Sequence, residues 1–208
     1  MIKEGDRAPA FDLETDEGGR VQLRDFADRT LVLYFYPRDN TPGCTRQAQA
    51  FTASRKAIEK AGGAVVGVSR DSLKSHQSFR DKCKLGITLA SDPDLAVHKA
   101  YGAWGEKTMY GKKIEGVLRT TFLVKNGKVA RVFPNVKVDG HADAVLAAIG
   151  ALGGSAKPAK PARKKSVPDQ AKTAVKKASK VLARAKKAVA KVVARGANKG
   201  ATRKSPRK

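Results

Sequence analysis

Cysteine is scarce in this chain of 208 residues: Cys44 and Cys83 are the only two, and they are not spaced as a CxxC pair. Two cysteines are too few for the disulfide framework of a small secreted domain, so they favour a catalytic or redox role over a structural one. The missing CxxC pair argues against a thiol–disulfide oxidoreductase. The three histidines form no group of ligands, so we predict no metal site and place His98 and His141 at the surface.

Long apolar runs are also absent. No stretch approaches the roughly 18 uninterrupted apolar residues that a transmembrane helix requires. The opening residues, MIKEGDRAPAF, contain no apolar segment of the kind found in secretory signals. These absences predict a cytoplasmic protein without a membrane partner.

Acidic residues almost disappear from the last quarter of the chain. Residues 153–208 hold 19 of the 43 Lys and Arg residues but one of the 19 Asp and Glu residues, so this segment carries +18 of the total net charge of +24. A charge so unevenly distributed predicts a folded domain, residues 1–152, followed by an arm that binds polyanions.

Hydrophobic patterning divides residues 1–152 into strands and helices. The apolar run 30–36 stops at Pro37 and predicts a buried central strand, and Asn126-Gly127 predicts a tight hairpin turn. Alternating strands and helices predict an α/β fold with a mixed sheet flanked by helices. The other predicted elements are a hairpin within 11–23, strands at 64–69, 116–124 and 128–133, helices at 45–60, 72–84 and 139–152, and a short helix beginning at Asp92-Pro93.

One loop combines the features of a reactive thiol site. Cys44 follows the buried strand and the residues PRDNTPG, and it stands at the start of the predicted helix. Unpaired backbone N–H groups and the positive end of the helix dipole stabilise a thiolate there, and the thiolate is the nucleophilic form of cysteine. Thr41 can direct its hydroxyl into the same pocket, while Pro37 and Pro42 stiffen the loop and shield the sulfur.

The pattern PxxxTxxC after an apolar strand resembles the signature of the peroxiredoxins. The longer string YFYPRDNTPGCT is similar to the bacterioferritin comigratory protein, or Q-type, subfamily, and GDRAPAF, VVGVSRDS, LASDPD and GVLRTTFLV extend the resemblance over residues 1–152. The resemblance implies a thioredoxin-like fold and a thiol peroxidase that reduces hydrogen peroxide and organic hydroperoxides without a cofactor. We expect a monomer or a weak dimer.

The resemblance also implies roles for individual residues. Cys44 is the expected peroxidatic cysteine, which attacks the terminal peroxide oxygen and becomes a sulfenic acid. Arg119 is expected to hold the thiolate and polarise the peroxide, and Thr41 to orient it. The N–H groups of Gly43 and Cys44 are expected to stabilise charge that develops on the peroxide oxygens.

The sequence departs from a common family pattern at Gln49, where many members have a resolving cysteine five residues after the peroxidatic one. Because some members of the subfamily are said to use a cysteine on the next helix, the resemblance favours an intramolecular Cys44–Cys83 disulfide. Their Cα atoms must come within about 7 Å, so we expect helix ends to fray. A one-Cys cycle with an external thiol is the alternative. The expected reductant is thioredoxin, with glutathione or a glutaredoxin as alternatives.

The basic arm consists of a linker, 153–170, rich in Pro, Ala and Lys, and a tail, 171–208, with a Lys/Ala-rich helix at 171–194 and a disordered end. AKKAVAKVVA and the final SPRK resemble linker-histone tails. No aromatic residue follows Phe133, so we predict salt-sensitive, nonspecific DNA binding and association with the nucleoid. The predicted nucleic-acid contacts are Lys176, Lys177, Lys180, Arg184, Lys186, Lys187, Lys191, Arg195, Arg203, Lys204, Arg207 and Lys208.

Two other interpretations of the arm stay open. It is either a solvated extension that serves solubility, or the main functional part of a nucleoid-associated protein whose redox domain is secondary.

Overall fold

The computed structural model describes residues 2–109 and 112–153. The described part contains nine strands, four α-helices and a 3₁₀ turn at Leu23–Phe26. The strands are β1 Asp12–Thr15, β2 Arg20–Gln22, β3 Thr30–Phe35, β4 Gly63–Ser69, β5 Thr88–Ser91, β6 Trp104–Met109, β7 Lys112–Val117, β8 Thr120–Lys125 and β9 Lys128–Phe133, and the helices are α1 Pro42–Lys60, α2 Leu73–Cys83, α3 Ala96–Ala100 and α4 His141–Ala151.

Seven strands form one mixed sheet in the order β2-β1-β5-β4-β3-β8-β9. The pairs β3–β4 and β4–β5 are parallel, and all other neighbours in this sheet are antiparallel. Every residue of β3 is buried, as expected for a strand covered on both faces. The expected α/β fold with a mixed sheet is therefore confirmed.

Alternate residues of β3 enter two separate hydrophobic clusters because successive side chains of a strand point to opposite faces. One cluster, which we call the thiol face, contains Val32, Tyr34, Tyr36 and Cys44 together with buried residues of α1, α2 and α4. The other, the opposite face, contains the remaining β3 side chains, residues of the N-terminal hairpin and the α3 region. The helices thus cover both faces of the sheet.

The predicted strand 116–124 is wrong as one element. It is divided into β7 and β8 by Leu118 and Arg119, and β7 pairs with β6 in a separate two-stranded sheet that the sequence pattern did not reveal. Strand β5 was missed as well. The break matters for the site because it takes Arg119 out of regular strand pairing.

The starts of α1 and α3 differ most from the predictions. Helix α1 begins at Pro42 rather than at residue 45, since proline suits the first position of a helix and Thr41 occupies the N-cap position. Helix α3 begins at Ala96, and Asp92-Pro93 precede it in a turn. The Asp92 carboxylate accepts a hydrogen bond from the backbone N–H of His98, so it stabilises the first turn of α3 although it precedes the helix.

The surface placement of His98 and His141 is wrong. Both are buried, and so is His76. His98 and His76 each contact a buried aspartate, and His141 Nε2 lies 2.9 Å from Thr121 Oγ1. Buried polar side chains are normally hydrogen-bonded, and these partners explain why the three imidazoles tolerate the interior.

Candidate active site

Strand β3 and helix α1 position Cys44. The strand ends in the interior of the domain, and the loop that follows turns sharply at Asn40, whose φ of 57° lies in the left-handed region that asparagine tolerates. Helix α1 then starts at Pro42, which makes Cys44 its third residue. The cysteine is 2% exposed and belongs to the first helical turn, whereas the sequence predicted a helix that begins one residue after it.

The sulfur of Cys44 accepts a hydrogen bond from a charged side chain, Arg119. Its Nη2 donates to Cys44 Sγ at 3.3 Å, although 75 residues separate the two in the chain. Its Nη1 donates to the Oε1 of Gln47, which is buried on the same side of α1 one turn after Cys44. The guanidinium is thereby held in place by a neutral acceptor, and it brings a positive charge next to the sulfur.

The first turn of α1 also supplies free donors. Thr45 N–H donates to Thr41 O, but among the residues that the structure describes no partner accepts from the N–H groups of Gly43 or Cys44. Unpaired N–H groups at a helix start bind negative charge. Gly43 lies next to the guanidinium, because a Cβ there would be in van der Waals contact with Arg119 Nη2 at 3.5 Å.

Thr41 and Pro37 lie in the same loop but do not touch the sulfur through a hydrogen bond. The Thr41 hydroxyl donates to Arg38 O at 3.1 Å, which leaves its oxygen lone pairs available as acceptors. Thr41 occupies the N-cap position of α1 without a side-chain capping bond. Pro37 is half-buried and lines a surface groove with Arg38, Arg70 and Trp104.

Cys83 is the last residue of α2 and is half-buried. It packs against the same hydrophobic cluster that contains Cys44, and both thiols are free. The two cysteines therefore share one side of the sheet in a dithiol arrangement, and a bond between them requires one or both to move.

A polar network behind the Cys44 loop was not anticipated from the sequence. The Asp39 carboxylate accepts from Tyr36 Oη at 2.8 Å, Ser75 Oγ at 2.7 Å and His76 Nδ1 at 2.8 Å. Burial raises the pKa of Asp39. The hydrogen bond and the charge of His76, together with the hydrogen bonds from Ser75 and Tyr36, outweigh burial and hold that pKa below its usual value. We call Asp39 and these three donors the Asp39 clasp.

Tyr34 supports the site from the sheet. Its ring lies 4.9 Å from that of Phe51 on α1 and extends over Gly67, where a Cβ would come within 2.6 Å of the phenol. Burial above all, and then the negative charges of Cys44 and Asp39, raise the pKa of Tyr34 well above its ordinary value. The phenol is therefore neutral, and its buried hydroxyl has no hydrogen-bond partner among the described residues.

Gln47 and the Asp39 clasp are the residues of this site that sequence reasoning missed. Gln47 follows Cys44 by three positions, a spacing that places both on one face of a helix. His76 is likewise three residues before the apolar Phe79 on α2, and both are fully buried. Helical spacing was thus the available signal, but it could not name Arg119 or Asp39 as the partners.

Comparison with known proteins places this geometry in a family. The family model described as AhpC/TSA family matches residues 4–132, so the chain belongs to the AhpC/TSA family. The putative peroxiredoxin bcp of Coxiella burnetii is 47% identical over 146 residues, which are 70% of this chain and 97% of that protein. Peroxiredoxin Bcp of Escherichia coli K12 is 40% identical over 146 residues, covering 70% and 94%.

Solved structures agree. Peroxiredoxin Q of Xanthomonas campestris is 46% identical, with a TM-score of 0.65 over 68% of this chain and 90% of that one. The thioredoxin-like peroxiredoxin fold and the resemblance to Q-type peroxiredoxins are confirmed, and the protein is a peroxiredoxin, a thiol-dependent hydroperoxide reductase. No helix in the described ranges is long and apolar enough to cross a membrane. The linker after Gly153, the tail and its twelve predicted nucleic-acid contacts lie outside the described residues.

Proposed function

We propose that Cys44 is the peroxidatic cysteine of this enzyme. The observation that carries the proposal is the 3.3 Å contact from Arg119 Nη2 to Cys44 Sγ at the open N-terminus of α1. The Cys44 thiolate attacks the terminal oxygen of a hydroperoxide, the O–O bond breaks, and Cys44 becomes a sulfenic acid while water or an alcohol leaves with a proton. Organic hydroperoxides fit this assignment because a related X. campestris protein has alkyl peroxide reduction activity.

The neighbouring residues have distinct tasks in this proposal. Arg119 holds the thiolate and polarises the peroxide, and Gln47 fixes the guanidinium. The free N–H groups of Gly43 and Cys44 stabilise charge that develops as the O–O bond lengthens. The Thr41 hydroxyl oxygen accepts a hydrogen bond from the peroxide O–H group, and Pro37 fixes the loop that carries these groups.

Resolution is assigned to Cys83. Its thiol attacks the sulfenic sulfur of Cys44, a disulfide forms and water leaves, so the two thiols supply the two electrons that reduce the peroxide and are themselves oxidised to one S–S bond. The support is that both cysteines pack into one cluster on the thiol face. An external dithiol, thioredoxin in our proposal, then reduces the disulfide; a one-Cys cycle is the alternative.

The test is the intact mass of the protein after one equivalent of hydrogen peroxide. A loss of two hydrogens that is absent from Cys44→Ser and Cys83→Ser identifies the proposed pair. A gain of one oxygen on Cys44 instead supports the one-Cys cycle. No rapid reaction at Cys44 refutes its assignment as the peroxidatic cysteine.

For the arm we propose nonspecific DNA binding and, through it, association with the nucleoid. The support is charge: residues 153–208 carry a net +18, and each neutralised phosphate releases counterions that favour binding. Deleting residues 153–208 should abolish retention of DNA and leave peroxide turnover unchanged. Binding that survives the deletion contradicts the assignment, and loss of turnover contradicts independent modules. A protein that binds DNA but lacks turnover favours the architectural alternative.

A further inference from the structure

The loop that carries Cys44 is joined to the helix that carries Cys83 by one buried carboxylate. Asp39 stands five residues before Cys44, and two of its three side-chain donors, Ser75 and His76, belong to α2. The third donor, Tyr36, stands at the end of β3. The Asp39 backbone N–H also donates to Asp71 Oδ2 at 2.9 Å, just before α2 begins.

The hydrogen bonds to Asp39 are strong because they are buried and their acceptor is charged. Asp39 is 5% exposed and His76 is fully buried, so water does not replace the hydrogen bond between them when it breaks. Hydrogen bonds to a charged group contribute about 1.5–3 kcal/mol each to stability, and an unpaired buried charge costs more. The carboxylate therefore resists any motion that carries α2 away from the Cys44 loop.

Such a motion is needed for the proposed resolution step. Cys44 Sγ is hydrogen-bonded to Arg119, and Cys83 is free at the other end of α2, two turns after His76. An S–S bond of about 2 Å requires displacement of the first turn of α1, of α2 or of both.

We propose that the Asp39 clasp is a positioning device that holds the peroxide-reactive arrangement and sets how fast α2 releases for disulfide formation. The proposal rests on Cys83 as the resolving cysteine. While the clasp is closed, Cys44 is kept beside Arg119 and reacts with peroxide. When it opens, the Cys83 thiol attacks the Cys44 sulfenic acid, the S–S bond forms and water leaves.

The chain offers a matched pair of variants. Ser75→Ala removes one donor of the clasp. Ser78→Ala makes the same replacement one turn later on α2, at an exposed residue with no hydrogen bond among the described side chains. Both variants replace a serine by alanine on the same helix, so a difference between them reports on the hydrogen bond from Ser75 to Asp39.

The experiment mixes reduced full-length protein with one equivalent of hydrogen peroxide, quenches it with acid at increasing times and follows sulfenic acid and disulfide by mass. Ser75→Ala is expected to form the disulfide about five- to ten-fold faster than wild type. Its peroxide consumption should slow by no more than about two-fold, because the closed clasp remains the dominant state and only opens more often. Ser78→Ala should match wild type. A general loss of structure would separate Cys44 from Arg119 and slow peroxide consumption far more, so it does not produce this split.

Asp39→Asn gives a larger acceleration if the variant folds, and Ser75→Ala decides the matter if it does not. Equal disulfide rates in the two serine variants would show that α2 unwinds from its C-terminal end without the clasp, and would overturn the proposal. Absence of any disulfide in wild type refutes Cys83 instead. In that case hydrogen exchange of the α2 amides still tests the clasp, because Ser75→Ala should exchange faster than Ser78→Ala; equal exchange refutes it.

Discussion

The two faces of the sheet each bury one aspartate–histidine pair. On the opposite face Asp92 Oδ2 lies 2.6 Å from His98 Nδ1, and on the thiol face Asp39 Oδ2 lies 2.8 Å from His76 Nδ1. In both pairs the histidine is fully buried and its Nε2 has no partner among the described residues. The chemical components of the two pairs are therefore the same.

Their connections differ. Asp92 and His98 are six residues apart, and the same carboxylate accepts from the backbone N–H of His98, so this pair fixes the start of α3. Asp39 and His76 are 37 residues apart and join a loop to a different helix. A local pair stabilises one element, whereas a long-range pair also controls how two elements move relative to each other.

The largest expected difference between the faces concerns Arg119. Arg119→Met keeps the aliphatic stem but removes the charge beside Cys44, and we expect the reaction of Cys44 with peroxide to slow about 10²- to 10³-fold. The free energy of unfolding should change by less than about 1 kcal/mol, because the side chain is only half-buried. Stopped-flow peroxide consumption and urea unfolding give the two values.

Arg131→Met is the control for this prediction, since it removes one positive charge from an exposed position on β9. If Arg131→Met slows the reaction as much, the effect is the net charge of the protein and not the contact with the sulfur.

The opposite result is expected for Asp92→Asn. The replacement exchanges a buried charged acceptor for a neutral one, and hydrogen bonds to a charged group contribute about 1.5–3 kcal/mol each, so the midpoint of unfolding should fall clearly. Peroxide consumption and disulfide formation should stay within about two-fold of wild type, because the pair is confined to α3. A split between the two redox steps in this variant would remove the distinction between the local and the long-range pair.

His141 tests the thiol face through pH. Burial, assisted by the charge of Arg119, lowers the pKa of His141 to about 4, against about 6.5 in an unfolded chain. As the pH falls below 6.5, His141 is protonated in the unfolded state but stays neutral in the folded state, so the free energy of unfolding decreases with decreasing pH. Between pH 7 and pH 5 this costs about 2 kcal/mol.

The check is urea unfolding of wild type and His141→Gln at both pH values. The variant should lose less stability than wild type on acidification. Parallel losses would show that His141 does not cause the wild-type slope.

The smallest expected effects separate two adjacent tyrosines. Tyr36→Phe removes a donor from buried Asp39 and should reduce the free energy of unfolding by about 1–2 kcal/mol. Tyr34→Phe removes a buried hydroxyl that has no described partner and should be neutral within about 0.5 kcal/mol or stabilising. Equal destabilisation by both replacements would mean that the rings, and not the hydrogen bond to Asp39, account for the loss.

Local features of this fold could be predicted from the sequence. The buried strand β3 followed from its continuous apolar run, and Asn126-Gly127 has positive φ at both positions, as its hairpin turn requires. The resemblance to a family placed Cys44 and Arg119 in one site, and the structure brings their side chains together.

Features that depend on distant partners could not be predicted. Nothing near His76 in the chain identifies Asp39 as its hydrogen-bond partner, because 37 residues separate the two and only the folded domain brings them together. The division of 116–124 at Arg119 is similar: Leu118 and Arg119 suit a strand, and the interruption arises from separate pairing of β7 with β6 and of β8 with β3.

Trp104 is the only tryptophan of the chain, and its ring is half-buried beside Pro37 and Arg38 in the groove next to the Cys44 loop. Its emission spectrum depends on the polarity and the quenching groups around one defined location. The protein therefore contains an intrinsic optical reporter, which can register movement of the loop within milliseconds without a dye and without a further substitution.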